Sequence, residues 1–504
     1  TVTDDLIVGG DIDLEGSIDV NGTANLDVVD VDGAVNFAAD VTYAAGAEII
    51  TASGGTSNTR IGSTAGEDLA SGGNFNVLIG TNSGKQISTG DDNVAVGVDS
   101  QQADTLGAKN TAIGGGSLAT QNFTTATNSH NTGVGYHSGV SITTGVRNTL
   151  MGGLAGDALT DADDNVAIGQ TALGLDTLGS KSVAVGRAAL ATQNFTTATD
   201  SYNTAVGFQA GEAVTTGTVN TLIGGLAGDA LTSGNSNVAV GYGSLTTDTL
   251  GDRNVAIGVS ALETQNFTTT TDSYNVAVGY TAAQSLTIGE GNTLIGGVAA
   301  QSLTEGGMNV ALGRSALAGD TKGSRAVAIG RFALATQNFT TATDNYNVAI
   351  GMNAGIAITT GIKNTFVGGL AGTSFTDADF NTAMGYLALS ADTLGSKSTA
   401  IGLQALANQN FTTATDAYNT AVGFQAGLTV STGLANTLIG SLAGAAITSG
   451  ASNVAVGFEA LKNEDAHGKN TAIGSQTLFT LNAGADGNNT AVGFKAMNVI
   501  SSGD

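Results

Sequence analysis

A five-residue unit, Asn-Thr/Val-Ala/Leu-Val/Ile-Gly, recurs along this chain at intervals that leave little freedom in the choice of fold. Its terminal glycine falls at Gly62, Gly80, Gly97, Gly114 and Gly135 and continues in register to Gly493, 25 units in all. From Gly80 to Gly474 the intervals run 17, 17, then 21, 17, 17, 17 repeated, so three of 17 and one of 21 make a superperiod of 72 residues. The four extra residues always arrive in a Gln-Asn-Phe-Thr-Thr segment, with Phe123, Phe195, Phe267, Phe339 and Phe411 spaced 72 apart. Self-similarity at a fixed short period is the signature of stacked supersecondary units, each burying its neighbour's apolar face.

Seventeen residues are too few for a strand–helix–strand crossover and fewer than a leucine-rich repeat uses. The spacing therefore predicts an all-β chain, a parallel β-solenoid or β-roll of about 25 rungs with a 17/17/17/21 repeat. In Asn203–Gly207, strand alternation puts Thr204 and Val206 on one face and Asn203, Ala205 and Gly207 on the other. Neither face is properly polar, so both need cover: one from the coil itself, the other from a second chain. The asparagine column (Asn203, Asn220, Asn237, Asn254) is expected to form a hydrogen-bonded ladder along the axis. The glycine column is expected where backbones approach closely or φ is positive. Thr215-Thr216-Gly217 and Thr232-Ser233-Gly234 read as corners, and the absence of proline suits rungs that need every N–H. At ~4.8 Å per rung, the stack would extend roughly 120 Å.

Among 504 residues, 75 are glycine and only 5% aromatic, so the core must be thin and layered. A formal net charge of −26 with 16 Lys and Arg argues against a nucleic-acid partner and against adsorption to anionic membrane. No cysteine is present to build disulfides or thiolate metal sites, and no run of about 18 apolar residues suggests a membrane-spanning helix or insertion. The start at Thr1-Val2-Thr3, without Met or signal peptide, suggests a mature product or a piece of a longer protein. Residues 6–28 differ: apolar residues and glycines occupy even positions, with Gly10, Gly16 and Gly22 six apart, as in a thinner Gly-spaced β-shaft. The expected division is shaft and transition over 1–57, solenoid over 58–493, and a C-terminal tail or continuation over 494–504.

The units Asn237–Gly241 and Asn470–Gly474 resemble the head repeats of trimeric autotransporter adhesins and the repeats of many bacteriophage tail fibres; the hexads of residues 6–28 are similar to phage fibre shafts. The resemblance covers roughly 58–493. It implies a homotrimer of β-rolls about a threefold axis, on a virion or otherwise extracellular, that attaches to a host cell-surface glycan or protein. Units longer than those of the autotransporter heads, and no neck motif, coiled-coil stalk or membrane anchor, make the phage-fibre likeness the leading one. A bacterial surface adhesin or extracellular filament protein is the alternative within this class.

For chemistry the candidates are sparse, and no catalytic residue or cofactor is expected. His130, His137 and His467 are the only histidines, and the first two stand where other copies have Tyr202 and Gln209, as turn or surface substitutions. Asp161, Asp163 and Asp164 could offer oxygen ligands to Ca2+, although the equivalent Ser233-Gly234-Asn235-Ser236 favours a solvated turn. A glycan-cleaving tailspike-type enzyme would need a carboxylate pair across a groove, and none stands out. Gly152–Asp157 lacks the Lys-Ser/Thr of a phosphate loop and recurs as Gly224–Asp229, marking it as structural. An ice- or mineral-binding face would need threonine at every rung, whereas the turns vary. The five repeated phenylalanines are candidate ligand-contact loops; the competing reading is that each fills a widened rung or a subunit seam.

Overall fold

The computed structural model describes residues 54–482 and 486–500. The expected shaft over residues 6–28 lies outside them. Among the described residues there is no helix, and 25 three-residue strands, from Thr59–Ile61 to Thr490–Val492, form one parallel sheet. Each strand pairs with the next rung in exact repeat register: Thr204 opposes Thr221, Ala205 opposes Leu222 and Val206 opposes Ile223. The β-solenoid expected from the spacing is thus what the chain forms, and residues 494–500 continue it, since Leu478 N donates to Ala496 O (3.1 Å).

Outside the strands the rungs still bond to one another. Gly211 N donates to Ala227 O on the next rung (2.9 Å), Thr215 N to Thr232 O (2.8 Å), and Val219 N to Ser201 O on the preceding one (2.8 Å). A proline at any of these donors would remove an inter-rung hydrogen bond, in keeping with a sequence that has no proline.

The strand-ending glycine column has a steric cause. Gly207 sits at φ 144°, and a Cβ there would lie 2.4 Å from Gly224 O. The coil also turns at positions that are often not glycine: Ser260, Leu262 and Tyr274 take φ 54°, 51° and 48° within a single rung. Left-handed backbone at such residues is costly alone, so it persists because the inter-rung hydrogen bonds and packing over-determine it.

The core is one file of small and branched side chains. Ala205, Leu222, Ala239 and Ala256, the central residues of successive strands, are fully buried. Leu222 fills the space over Gly211 and Gly228, where an added Cβ would lie 2.7 and 2.8 Å from its methyls. In the fourth superperiod Phe366 takes that place over Gly355 and Gly372 and stacks on Phe375, with centroids 5.4 Å apart. Large opposite small is how a thin core reaches native density.

Asparagine forms a ladder, though of a mixed kind. Asn203 Oδ1 accepts Asn220 N (2.9 Å) and Asn220 Oδ1 accepts Asn237 N (3.0 Å), while Asn220 Nδ2 donates to the corner carbonyl of Gly234 (2.9 Å). The expected amide-to-amide bonds occur at some rungs, such as Asn254 Nδ2 to Asn237 Oδ1 at 3.2 Å. Most of the ladder is side chain to backbone, because each amide can reach a backbone donor one rung on and a corner acceptor across the coil.

Candidate functional site: exposed columns on a repeating scaffold

The five repeated phenylalanines turn inward. Phe123, Phe195, Phe267, Phe339 and Phe411 are only 5–6% exposed, so the rings have little surface to offer a ligand from this chain, and filling a widened rung is the reading that fits. The Phe195 ring lies against Gly179, where a Cβ would meet it at 2.8 Å.

That packing is set by a carboxylate. Asp176, fully buried, accepts Gly179 N (3.0 Å) and Phe195 N (3.1 Å) on Oδ1 and Gln193 Nε2 (2.5 Å) on Oδ2. Gln193 Oε1 in turn accepts Asn203 Nδ2 (2.8 Å), which joins the network to the asparagine ladder. Asp104, Asp248, Asp320 and Asp392 repeat the arrangement. Their signal is visible in the sequence as Asp-Thr-Leu/Lys-Gly 72 residues apart, 17 residues before each Gln-Asn-Phe.

Buried acids are therefore committed to the fold, and the same holds at the C-terminal end. Glu464 stands in the aspartate column and accepts His467 N (3.1 Å) as Asp392 accepts Gly395 N. With Asp465 and His467 it makes up the one group of possible metal ligands among the described residues, and its Oε1 lies 3.3 Å from His467 Nδ1. Asp161, Asp163 and Asp164 take protein donors: Thr144 Oγ1 to Asp161 (2.7 Å), Val146 N to Asp163 (2.8 Å) and Arg147 Nε to Asp164 (2.6 Å). The Arg147 hydrogen bond holds the Asp164 carboxyl below its ordinary range. His130 is an exposed corner residue at φ 51°.

What the surface does present is columnar. The residue preceding each position of the asparagine column forms a corner column in which, from Lys181 on, a cation and a tyrosine recur every 72 residues, with a carboxylate two residues before the tyrosine. Lys181 Nζ donates to Asp200 (2.5 Å) and to Tyr202 Oη (3.3 Å), and Lys397, Asp416 and Tyr418 repeat this at 2.6 and 3.3 Å. Arg253 with Asp272 and Tyr274, and Arg325 with Asp344 and Tyr346, are the guanidinium versions. Hydrogen bonding to Asp200 and then Tyr202 raises the Lys181 pKa.

Between triads the column varies: Val219 and Ser236, Gly291 and Met308, Lys363 and Phe380, Ala435 and Ser452. Gly291 carries no side chain into this surface, and a groove of about 280 Å3 runs there between Tyr274, Glu290 and Met308. A neighbouring one of about 250 Å3 continues past Ile288 and Glu305 to Arg325.

A second column follows the strand-ending glycine and includes Val98, Gly115, Tyr136, Arg187, Phe208 and Tyr242. Tyr136, 63% exposed, stacks on His137 with centroids 3.9 Å apart beside a groove of about 400 Å3. Sequence reading took His137 for a turn or surface substitution and passed over Tyr136, because nothing in a linear repeat says which column faces outward. No family model, curated protein or solved structure matches the chain.

Proposed function

We propose that this protein is a structural and adhesive fibre of a virion or cell surface, self-associating as a homotrimer and attaching to a host cell-surface glycan or protein. The observation that carries the reading is the outward face of the long sheet. Strand residues such as Ile223, Ile257 and Ile439 remain 38–40% exposed in the single chain and repeat rung after rung. A continuous apolar stripe of this length exceeds what a soluble monomer ordinarily leaves open. Covering it with further copies of the same stripe satisfies the need for cover on both strand faces, and a repeating chain supplies a matching stripe in register. The sequence resemblance to phage tail fibres and trimeric adhesin heads supports the same reading.

Binding rather than catalysis is proposed because the repeated buried aspartates are saturated with backbone and amide donors, and the repeated exposed ones are paired with Lys or Arg. Light scattering of the purified chain, with negative-stain imaging of the same sample, tests the assembly. Three chains' mass in a rod is expected, and a compact monomer would defeat it. Adhesion of the labelled protein to candidate host cells tests attachment.

A further inference from the structure

We propose that the groove beside Tyr136 is a saccharide-binding site, present in only one superperiod of the scaffold. The proposal rests on the attachment reading above and names the class of ligand recognised. The argument comes from comparing copies of the same scaffold positions. In the second superperiod Arg187 reaches over the ring of Phe208, its guanidinium 5.5 Å from the centroid. The third and fifth copies carry Val259 and Leu403 where the second has Arg187, and the fourth carries Arg331. In the first copy this residue is Gly115, so no side chain from that position reaches over Tyr136, and the space becomes a groove whose lining includes Val98, Asp99, Gln102, Gly115, Tyr136 and His137.

Gly116 is equally specific to this copy. It takes φ 66°, and a Cβ there would lie 2.5 Å from His137 Cδ2, so the imidazole rests on bare backbone and stacks on Tyr136 at an interplanar angle of 13°. The result is a single Tyr136 ring backed on one face by the imidazole and still 63% exposed, with a carboxylate and an amide at its rim, where Asp99 also accepts Asn82 Nδ2 (2.8 Å). A solvated aromatic face suits the C–H face of a sugar ring, and carboxylate and amide groups suit adjacent hydroxyls. An extended peptide is the poorer fit, since β-augmentation needs an open strand edge and the strands of the long sheet that lead into Gly115 and Tyr136 are paired on both sides.

The scaffold supplies its own test variant. Gly115→Arg installs the side chain that the next copy carries. A Cβ at Gly115 has nothing nearer than Tyr136 Cδ2 at 3.7 Å, so the substitution closes the groove without disturbing the coil. Wild type, Gly115→Arg and Tyr136→Ala are applied to an array of immobilised neutral and amino-sugar oligosaccharides, with solution mass and thermal melting recorded for each. Wild type is expected to bind a subset of the array, and both variants to bind at least ten-fold more weakly with mass and melting unchanged. Equal binding by wild type and variants overturns the site, as does a changed mass in Gly115→Arg, which would place Tyr136 in a subunit seam. Absence of binding by wild type also overturns it. If wild type then still adheres to cells, the attachment reading stands without this site; if it does not, both fall.

Discussion

The 17-residue and 21-residue rungs share one strand, one strand-ending glycine and the same inward alanine or leucine, yet they are held in different ways. A short rung such as 220–236 copies its neighbours: corner N–H groups such as Thr232 N and Ser236 N find the carbonyls of Thr249 and Thr218 in the adjoining rungs, and Asn220 ties the strand to the next corner. The long rung that ends at Tyr202 carries four residues with no counterpart above or below. Its insertion is pinned instead by a buried carboxylate, Asp176, and closed by a short extra strand pair in which Gly179 opposes Thr199. Stacking alone fixes a repeat that matches its neighbours, whereas a mismatched insertion needs a dedicated anchor.

Four variants break or sharpen that contrast. Gly207→Ala attacks what both rung types share and has the largest expected effect, about 3 kcal/mol or more, because the new Cβ meets backbone at 2.4 Å in a left-handed conformation. Urea denaturation followed by far-UV circular dichroism reads it, and a loss below 1 kcal/mol would mean that the column is not sterically required.

Asp176→Ala removes the acceptor of three buried donors, of which Gln193 Nε2 alone keeps another in Ser182 Oγ (2.9 Å), and is expected to cost about 2–3 kcal/mol, confined to the long rung. Amide hydrogen exchange should quicken over 193–200 and stay slow at Thr221–Ile223; uniform acceleration would show that the two rung types are not independently held.

The asparagine column is interrupted at Ser182, Ala326 and Ser398, and the second interruption offers a gain. At Ala326 the asparagine is missing, and Asn345, where other copies have Ser201 and Ser273, is left with a buried amide nitrogen lacking a partner. Ser273 Oγ donates to Asn254 Oδ1 at 2.8 Å in the intact version. The double substitution Ala326→Asn, Asn345→Ser restores that pair and should raise stability by about 1 kcal/mol, measured in the same urea titration.

The smallest effect concerns Asp157, on a short-rung corner, where burial raises the carboxyl pKa above its ordinary value, opposed by its backbone hydrogen bond and by His137. A raised folded-state pKa means that ionisation disfavours folding. Stability from this group is therefore fullest below the ordinary carboxyl pKa and falls as pH rises through the folded value. Asp157→Asn is expected to raise the melting temperature slightly at pH 7 and to lose that advantage near pH 3. An advantage that persists unchanged into acid would assign the effect to something other than this titration.

Much of this architecture was legible because a repeat turns local chemistry into long-range order. Residues 17 apart carrying the same glycine and asparagine can only superimpose, so rung count, strand position, parallel register and the site of each insertion followed from Gly80, Gly97 and their successors. The repeat also sorted each strand into two faces, with Asn203 and Ala205 together, but not which of them the coil buries; the structure puts that pair inside. Nor could it supply direction outside the strand. Whether Phe195 points in or out depends on a carboxylate one rung away, and whether Tyr136 is covered depends on the side chain at Gly115, 21 residues earlier in the chain and adjacent only once the coil has closed. The left-handed corners at Leu262 and Tyr274 carry no local mark at all, because ordinary residues hold that conformation only when neighbouring rungs impose it. The sequence by itself determined the stack; the tertiary structure decided which side chains the stack hides and which it presents.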